Sequence, residues 1–242
     1  MKKSVTPYNQ EDSKKKQVTE MFDGISTEYD VLNRKISLGI DVKWRRRVVD
    51  LLIPKKPESI LDIATGTGDL ALALIATKAS RIVGLDISAG MLSVGKDKVK
   101  VENLQNTIEM VIGDSEALTY DDNSFDAVTV AFGVRNFENL ELGLSELFRV
   151  LKPGGTLVVL ETAVPSRFPF KQGYKFHTQV IIPLMGKLFT RDQAAYKYLS
   201  DSAAVFPHGK QFNNILEKMG FIEVEDSPQT LGVVSIYCAT KP

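Results

Sequence analysis

The chain has 242 residues, 43% apolar and 25% charged, with 30 basic side chains balancing 30 acidic ones. That length suits one large α/β domain or a domain with an insertion, and zero net charge argues against a nucleic-acid partner, which normally leaves a basic excess. A lone cysteine, Cys238, excludes an internal disulfide and fits a reduced cytoplasm; no apolar run reaches the ~18 residues of a membrane span, and the lysine-rich start lacks the apolar core of a secretion signal.

Val18, Met21, Phe22, Ile25, Tyr29 and Leu32 recur at helical spacing and predict one amphipathic N-terminal helix. A second helix is expected from Asp41, with Trp44, Val48, Leu51 and Leu52 on one face and Pro54 as its stop. The basic runs 14–16 and 45–47 read as solvated faces that also suit anionic lipid headgroups. Apolar runs at 59–63, 82–85, 107–112, 127–132 and 156–160 then alternate with helical patterns, the clearest being Leu140, Leu144, Leu147, Phe148 and Leu151. This alternation predicts a doubly wound parallel sheet with helices on both faces. Ser88 stands where an N-cap would open the helix after the second strand. A helix over 210–219, stopped by Gly220, precedes two strands at 221–225 and 233–240, which a short loop makes antiparallel. The expectation is a mostly parallel seven-stranded sheet closed by an antiparallel hairpin.

Between Glu161 and Phe206 the alternation breaks into a segment rich in aromatics, including Phe168, Phe170, Tyr174, Phe176, Tyr196 and Tyr198, and interrupted by Pro165, Pro169 and Pro183. It is too long and apolar for a plain loop. It reads either as a helical insertion packed on its own core or, as we prefer, as a lid over an apolar pocket beyond the strand ends. The chain thus divides into N-terminal helices (1–54), a core (55–164), the lid (165–206) and a closing helix and strands (207–242).

The chemistry concentrates after the first strand, at Asp62-Ile63-Ala64-Thr65-Gly66-Thr67-Gly68-Asp69. Gly66 and Gly68 permit a tight turn and close approach of a ligand to the backbone. Asp86, ending the second strand, is placed to accept both hydroxyls of a ribose. Gly66 to Ala71 formally fits the glycine pattern of nicotinamide enzymes, so hydride transfer is one alternative. Three features favour S-adenosylmethionine as methyl donor. Asp62 before the turn suits a cationic ligand and would repel a pyrophosphate. Asp114 and Ser115 end the third strand with a carboxylate and a hydroxyl for an adenine edge, although Asp114 also suits a helix cap. Arg149-Val150-Leu151-Lys152-Pro153-Gly154-Gly155 joins a helix to the fifth strand through a Pro-Gly-Gly turn. The fold expected is that of a class I S-adenosylmethionine-dependent methyltransferase, with no metal, since no carboxylates cluster at ligand spacing.

Tyr29 through Ser37 and on to Trp44, Arg149 through Glu161, Phe132-Gly133-Val134-Arg135-Asn136, and Ala195 through Leu199 with Phe206-Pro207 resemble the signatures of the menaquinone/ubiquinone biosynthesis C-methyltransferases. The resemblance covers about residues 15 to 241. It departs at Asp41, where that family usually has His, and at Ala163, where it usually has Ser. It implies that Thr67, Asp86, Asp114 and Ser115 contact the methyl donor. It also implies an acceptor that is a prenylated quinol, most nearly 2-demethylmenaquinol, with the benzoquinol step of ubiquinone formation and other apolar small molecules as alternatives. A cytoplasmic enzyme docking transiently at the inner face of the membrane follows, with a homodimer left open. Adenine- and glutamine-directed methyltransferases carry an Asn/Asp-Pro-Pro-aromatic motif after the fourth strand, where this chain has Arg135-Asn136 instead. A quinone-binding module that transfers nothing is the third alternative.

A quinol hydroxyl resembles that of Tyr, with a pKa of about 10, so its phenolate costs about 4 kcal/mol to reach at pH 7. Arg135 either stabilises that phenolate, directly or through a water that takes the proton, or forms a surface ion pair with Glu138. Asn136 is placed to orient the quinol. Tyr29 orients the second hydroxyl, stacks on the sulfonium or packs in the core. His177, in the lid, is a candidate base or a structural residue; His208 is the only other histidine.

Overall fold

The structure, a computed structural model, describes residues 5–8, 11–165, 168–176 and 192–242. Helices α1 (Lys14–Ile25), α2 (Tyr29–Ile36) and α3 (Asp41–Leu52) lead into β1 (Ser59–Ile63). Then come α4 (Asp69–Ala73), β2 (Arg81–Asp86), α5 (Ala89–Val101), β3 (Ile108–Ile112), β4 (Phe125–Ala131), α6 (Leu140–Val150) and β5 (Leu151–Thr162). The remaining described elements are α7 (Phe170–Phe176), α8 (Gln193–Val205), α9 (Lys210–Lys218), β6 (Ile222–Gln229) and β7 (Val234–Thr240).

The strands lie in the order β3-β2-β1-β4-β5-β7-β6. β1 to β5 are parallel, and β7 runs antiparallel between β5 and β6. Period-two alternation sends successive side chains into different cores. Ile60, Ile82, Ala127, Val158 and Leu160 pack with Val48 of α3, Leu70 of α4 and Leu92 of α5. Leu61, Val83, Val128, Leu157 and Val159 pack with Leu144 of α6 and Phe212 of α9. These side chains are fully or almost fully buried, each larger than alanine worth ~1.5–3 kcal/mol of transfer free energy. The strand order reverses beside β1, which pairs with β2 on one side and β4 on the other. The crevice beyond their carboxyl ends is where such sheets bind ligands. Ser88 caps α5 as expected, its hydroxyl accepting from the Met91 N–H.

A smaller core covers that end of the sheet. Val18, Met21 and Ile25 of α1 and Leu32 of α2 pack with Met91 of α5 and with Ala195 and Tyr198 of α8. Two expectations change. The single N-terminal helix is two, parted after Ile25, where the Ser26 hydroxyl donates back to the Asp23 carbonyl at 3.0 Å, a bond that bends helices. The Pro-Gly-Gly stretch is not a turn before the fifth strand but a bulge inside it. Leu151 already pairs with Phe125, and Thr156 with Ala127. The residues between loop outward, with Gly154 at φ +76°. The Gly154 N–H donates to the Lys241 carbonyl at 2.8 Å, and the Lys241 N–H to that of Gly155 at 3.0 Å. Among the described residues no helix is long and apolar enough to cross a membrane.

Candidate active site

Two cavities open at the carboxyl end of the sheet. The first is a cleft of about 80 Å³ lined by the strand-end turns and by α1, with Asp86, Asp114, Ser115 and Asn136 set among mainly apolar side chains. Gly66 adopts φ +57°, and a Cβ there would meet no atom within 4 Å, so the turn leaves space in front of it. The Gly66 N–H donates to Asp86 Oδ2 at 2.8 Å, and Asp86 Oδ1 accepts from the Ser88 N–H at 2.9 Å. Burial raises the Asp86 carboxyl pKa, against the pull of those two N–H groups. The Ile87 N–H is a third backbone donor to this carboxylate, which with about four lone-pair sites can still accept from a ribose hydroxyl. At the end of β3, Asp114 Oδ1 accepts from the Glu116 N–H at 2.9 Å, while Oδ2 takes the Lys15 ammonium of α1 at 2.7 Å. Asp114 and Ser115 line the cleft opposite Phe22 of α1. Open space at Gly66 between two carboxylates with spare acceptor capacity fits the ribose and adenine edge of S-adenosylmethionine.

Three residues expected at the donor lie behind the cleft wall. Asp62 is 1% exposed, with Oδ2 accepting from the Thr65 hydroxyl and Oδ1 from that of Thr129, both at 2.7 Å. Burial lifts its pKa to about 6, against those two hydrogen bonds. Thr67 is turned to α2, its hydroxyl donating to Asp30 Oδ1 at 2.5 Å. Gly68, at φ +80°, is the N-cap of α4 and packs 3.2 Å, at its Cβ position, from Met110.

The second cavity is apolar and measures about 660 Å³. Ile36, Trp44, Phe132, Phe170, Leu199 and Val234 line it, drawn from elements spread along the chain. Its polar side carries Arg135 and Asp41. Arg135 does not pair at the surface with Glu138. Its side chain is 7% exposed and bonds Glu161 Oε1 at 2.7 Å, with Glu161 fully buried at the end of β5. One NH group also donates to the Phe132 carbonyl at 2.6 Å, and buried Nε has no partner among the described residues. Burial alone would lower the guanidinium pKa, but the Glu161 carboxylate holds it above its ordinary value. Asp41, 4% exposed, accepts from the Ser37 hydroxyl at 2.7 Å and pairs with Arg34 at 3.2 Å and with Arg45. An imidazole there would lose at least one of those cations.

Arg135 and Asn136 share one short turn yet serve different cavities: Arg135 lines the apolar one and Asn136 the cleft. Asn136 Oδ1 accepts from the Tyr198 hydroxyl at 3.1 Å, whose pKa burial pushes up to about 12. Tyr29 and Phe132 line both cavities and mark their junction. Tyr29 is partly buried, and its desolvation raises its phenol pKa; it stands edge-on to Phe22 at 5.9 Å between ring centroids. Lys14 ties α1 to the same turn, its ammonium donating to the Arg135 and Phe137 carbonyls at 2.9 and 2.8 Å. His208 lies near the Phe206 carbonyl and lines neither cavity; His177 lies outside the described residues.

Sequence reasoning assigned no role to Glu161, Tyr198 or Lys15. Glu161 had a signal, since it ends an apolar strand as Asp86 does. Tyr198 and Lys15 reach the site only through tertiary packing. Among the described residues no cluster of metal-ligating side chains occurs.

Among solved structures, a methyltransferase of Thermotoga maritima superimposes with a TM-score of 0.65 at 18% identity, covering 93% of this chain and 99% of its own. The cyclase SpnF does so with 0.64 at 18% identity, over 94% and 96%. The fold is thus the S-adenosylmethionine-dependent methyltransferase fold, which one neighbour uses for a cyclisation. The demethylmenaquinone methyltransferase of Bacteroides fragilis is 46% identical over 98% of this chain and 97% of its own. That of Porphyromonas gingivalis is 41% identical over 98% of both. The ubiquinone/menaquinone biosynthesis C-methyltransferase UbiE of Geobacter sulfurreducens is 40% identical over 94% and 90%. With residues 10–241 matching that family from end to end, the chain belongs to the ubiE/COQ5 methyltransferase family.

Proposed function

We propose that the protein methylates the ring carbon of 2-demethylmenaquinol, with S-adenosylmethionine as methyl donor, to give menaquinol. The observation that carries this reading is the divergence of Arg135 and Asn136 from one turn into two adjoining cavities, a small one edged by carboxylates and a large apolar one. The cleft suits the donor through Asp86, Asp114, Ser115 and the space at Gly66. The apolar cavity, at about 660 Å³, has room for a naphthalene nucleus and the first part of a prenyl tail.

The donor supplies an electrophilic methyl group, so the protein's work is alignment and activation of the acceptor. Alignment of two bound reactants supplies roughly 7–11 kcal/mol of such a barrier. Activation falls to Arg135. Its buried guanidinium, fixed by Glu161 and the Phe132 carbonyl, presents a permanent positive charge at the polar side of the apolar cavity. There it stabilises the phenolate left when the hydroxyl proton passes to water. The neighbouring ring carbon then takes the methyl as the sulfonium S–CH3 bond breaks to leave S-adenosylhomocysteine, and its ring proton is lost to water as aromaticity returns. Tyr29 holds the acceptor at the junction, and Asn136, braced by Tyr198, faces the donor side of it.

The test is transfer of labelled methyl from S-adenosylmethionine to a panel of reduced acceptors: a demethylnaphthoquinol, a benzoquinol and small amines. Label on the naphthoquinol ring carbon is the expected result. Preference for the benzoquinol moves the assignment to the ubiquinone step, and label confined to amines overturns it.

A further inference from the structure

Leucine rarely adopts a positive φ, because its Cβ crowds the backbone at a cost of about 1–2 kcal/mol. Two leucines here do so and bury little in return. Leu38, at φ +52°, is 83% exposed in the turn after α2; Leu231, at φ +61°, is 64% exposed in the turn between β6 and β7. They are nearly two hundred residues apart in the chain, yet both line the mouth of the apolar cavity, together with the half-exposed Phe170 of α7. The turns are tied together, since the Trp44 indole N–H donates to the Thr230 hydroxyl at 2.8 Å. Exposed apolar residues elsewhere, such as Val101 and Leu142, lie on other helices and line neither cavity, and single ones need no explanation.

Charge surrounds one side of this mouth. Residues 34 to 47 contain six basic side chains and one acidic one, in a chain whose net charge is zero. Arg34 and Arg45 are engaged with Asp41 and Asp69, and Arg46 pairs with Asp50 at 3.0 Å, while Lys43 and Arg47 are exposed on α3. An apolar rim bordered by cations matches the order of a membrane surface, hydrocarbon beneath anionic headgroups.

We propose that this mouth is a docking surface for an anionic lipid bilayer, with Leu38, Leu231 and Phe170 entering the acyl boundary and the cations of α3 meeting the headgroups. Docked in this way, the protein opens its apolar cavity directly onto the hydrocarbon, so that a prenylated acceptor passes from membrane to site without crossing water. The delivery step rests on the quinol reading; the docking itself does not.

The experiment is co-sedimentation of the full chain with quinol-free vesicles, either phosphatidylcholine alone or with phosphatidylglycerol added. The chain is expected to sediment with the anionic vesicles and to be released by salt. Leu38→Glu/Leu231→Glu should abolish sedimentation, with Val101→Glu as an unaffected control and thermal melts confirming the fold. Lys43→Glu/Arg47→Glu should weaken anionic-vesicle binding markedly, each cation near such a surface contributing about fivefold, while leaving methylation of a short-tailed acceptor in solution unchanged. Equal binding to both vesicle types, or undiminished binding by the leucine variant, overturns the proposal. So does a wild-type dimer, formed without vesicles, that the leucine variant dissolves. Because the vesicles hold no quinol, docking that persists while label goes to another acceptor refutes the quinol reading alone.

Discussion

The strand-end cleft and the apolar cavity share Tyr29 and Phe132 but are built by different rules. The cleft is a product of backbone geometry. Gly66, Asp86, Asp114 and Ser115 occupy the ends of adjacent parallel strands, and N–H groups of neighbouring turns hold the first carboxylate in place. The cavity is a product of packing. It gathers α2, α3, α7, α8 and the turn after β6, and its charged features are the buried Arg135–Glu161 pair and Asp41 with its two arginines. A site made of hydrogen bonds should fail one residue at a time, whereas a site made of volume should fail when it is filled.

The largest effect expected within the cleft comes from Asp86→Ala. It removes the partner of three N–H groups and the ribose acceptor together. Donor affinity measured by calorimetry should fall about 100-fold, within the ~1.5–3 kcal/mol of each hydrogen bond to a charged group. Affinity within a few-fold of wild type would show that the cleft is not the donor site.

Asp62 tests whether the carboxylate behind the turn works by structure. Its pKa is about 6 in the fold and near 3.9 in an unfolded chain, so the fold favours its protonated form. Its contribution to stability is therefore full below about pH 4 and declines as pH rises through about 6. The stability of the wild type relative to Asp62→Asn should drop by about 2–3 kcal/mol between those limits, as read by denaturant unfolding. A difference independent of pH would remove the buried-acid account.

On the apolar side, Gly173→Trp should fill the cavity from α7, where a Cβ meets no atom within 4 Å. Acceptor kcat/KM should fall about 10–100-fold, the 1–3 kcal/mol of an overfilled site, with donor affinity unchanged. Loss of donor affinity would mean that the two regions are not separable.

The smallest effect concerns α1. Lys15 and Asp114 are each about one-third exposed, and such pairs contribute at most about 1 kcal/mol. Lys15→Ala frees Asp114 Oδ2 for the donor, so affinity should tighten by no more than about fivefold. Weaker binding would make Lys15 a donor contact instead.

This contrast also explains what the sequence disclosed. The cleft was legible because its residues follow apolar runs at fixed spacing, and a parallel sheet brings such strand ends together whatever the helices do. The cavity was legible only as an apolar surplus in 161–206 and as a resemblance around Arg135 and Asn136. The partner of Arg135 was misjudged because Glu138 is near in sequence, whereas Glu161 is near only once β5 lies beside β4. The division of the N-terminal helix was hidden because both halves keep one helical period of apolar residues. Asp62 was expected at the ligand because spacing locates a turn without saying which side chains face into it, and Thr67 because the family resemblance implied it.

The central claim is that Arg135 acts on the acceptor and not on the donor. Removing it alone would strand a buried carboxylate, which costs about 3–5 kcal/mol of stability; Arg135→Met/Glu161→Gln avoids this. The decisive measurement is single-turnover methyl transfer to demethylnaphthoquinol by this variant, beside calorimetric donor binding. Transfer should slow about 10²–10³-fold, as for other losses of a preorganised charge partner, with donor affinity as in the wild type. Transfer at the wild-type rate, or slow transfer explained by lost donor binding, would contradict it.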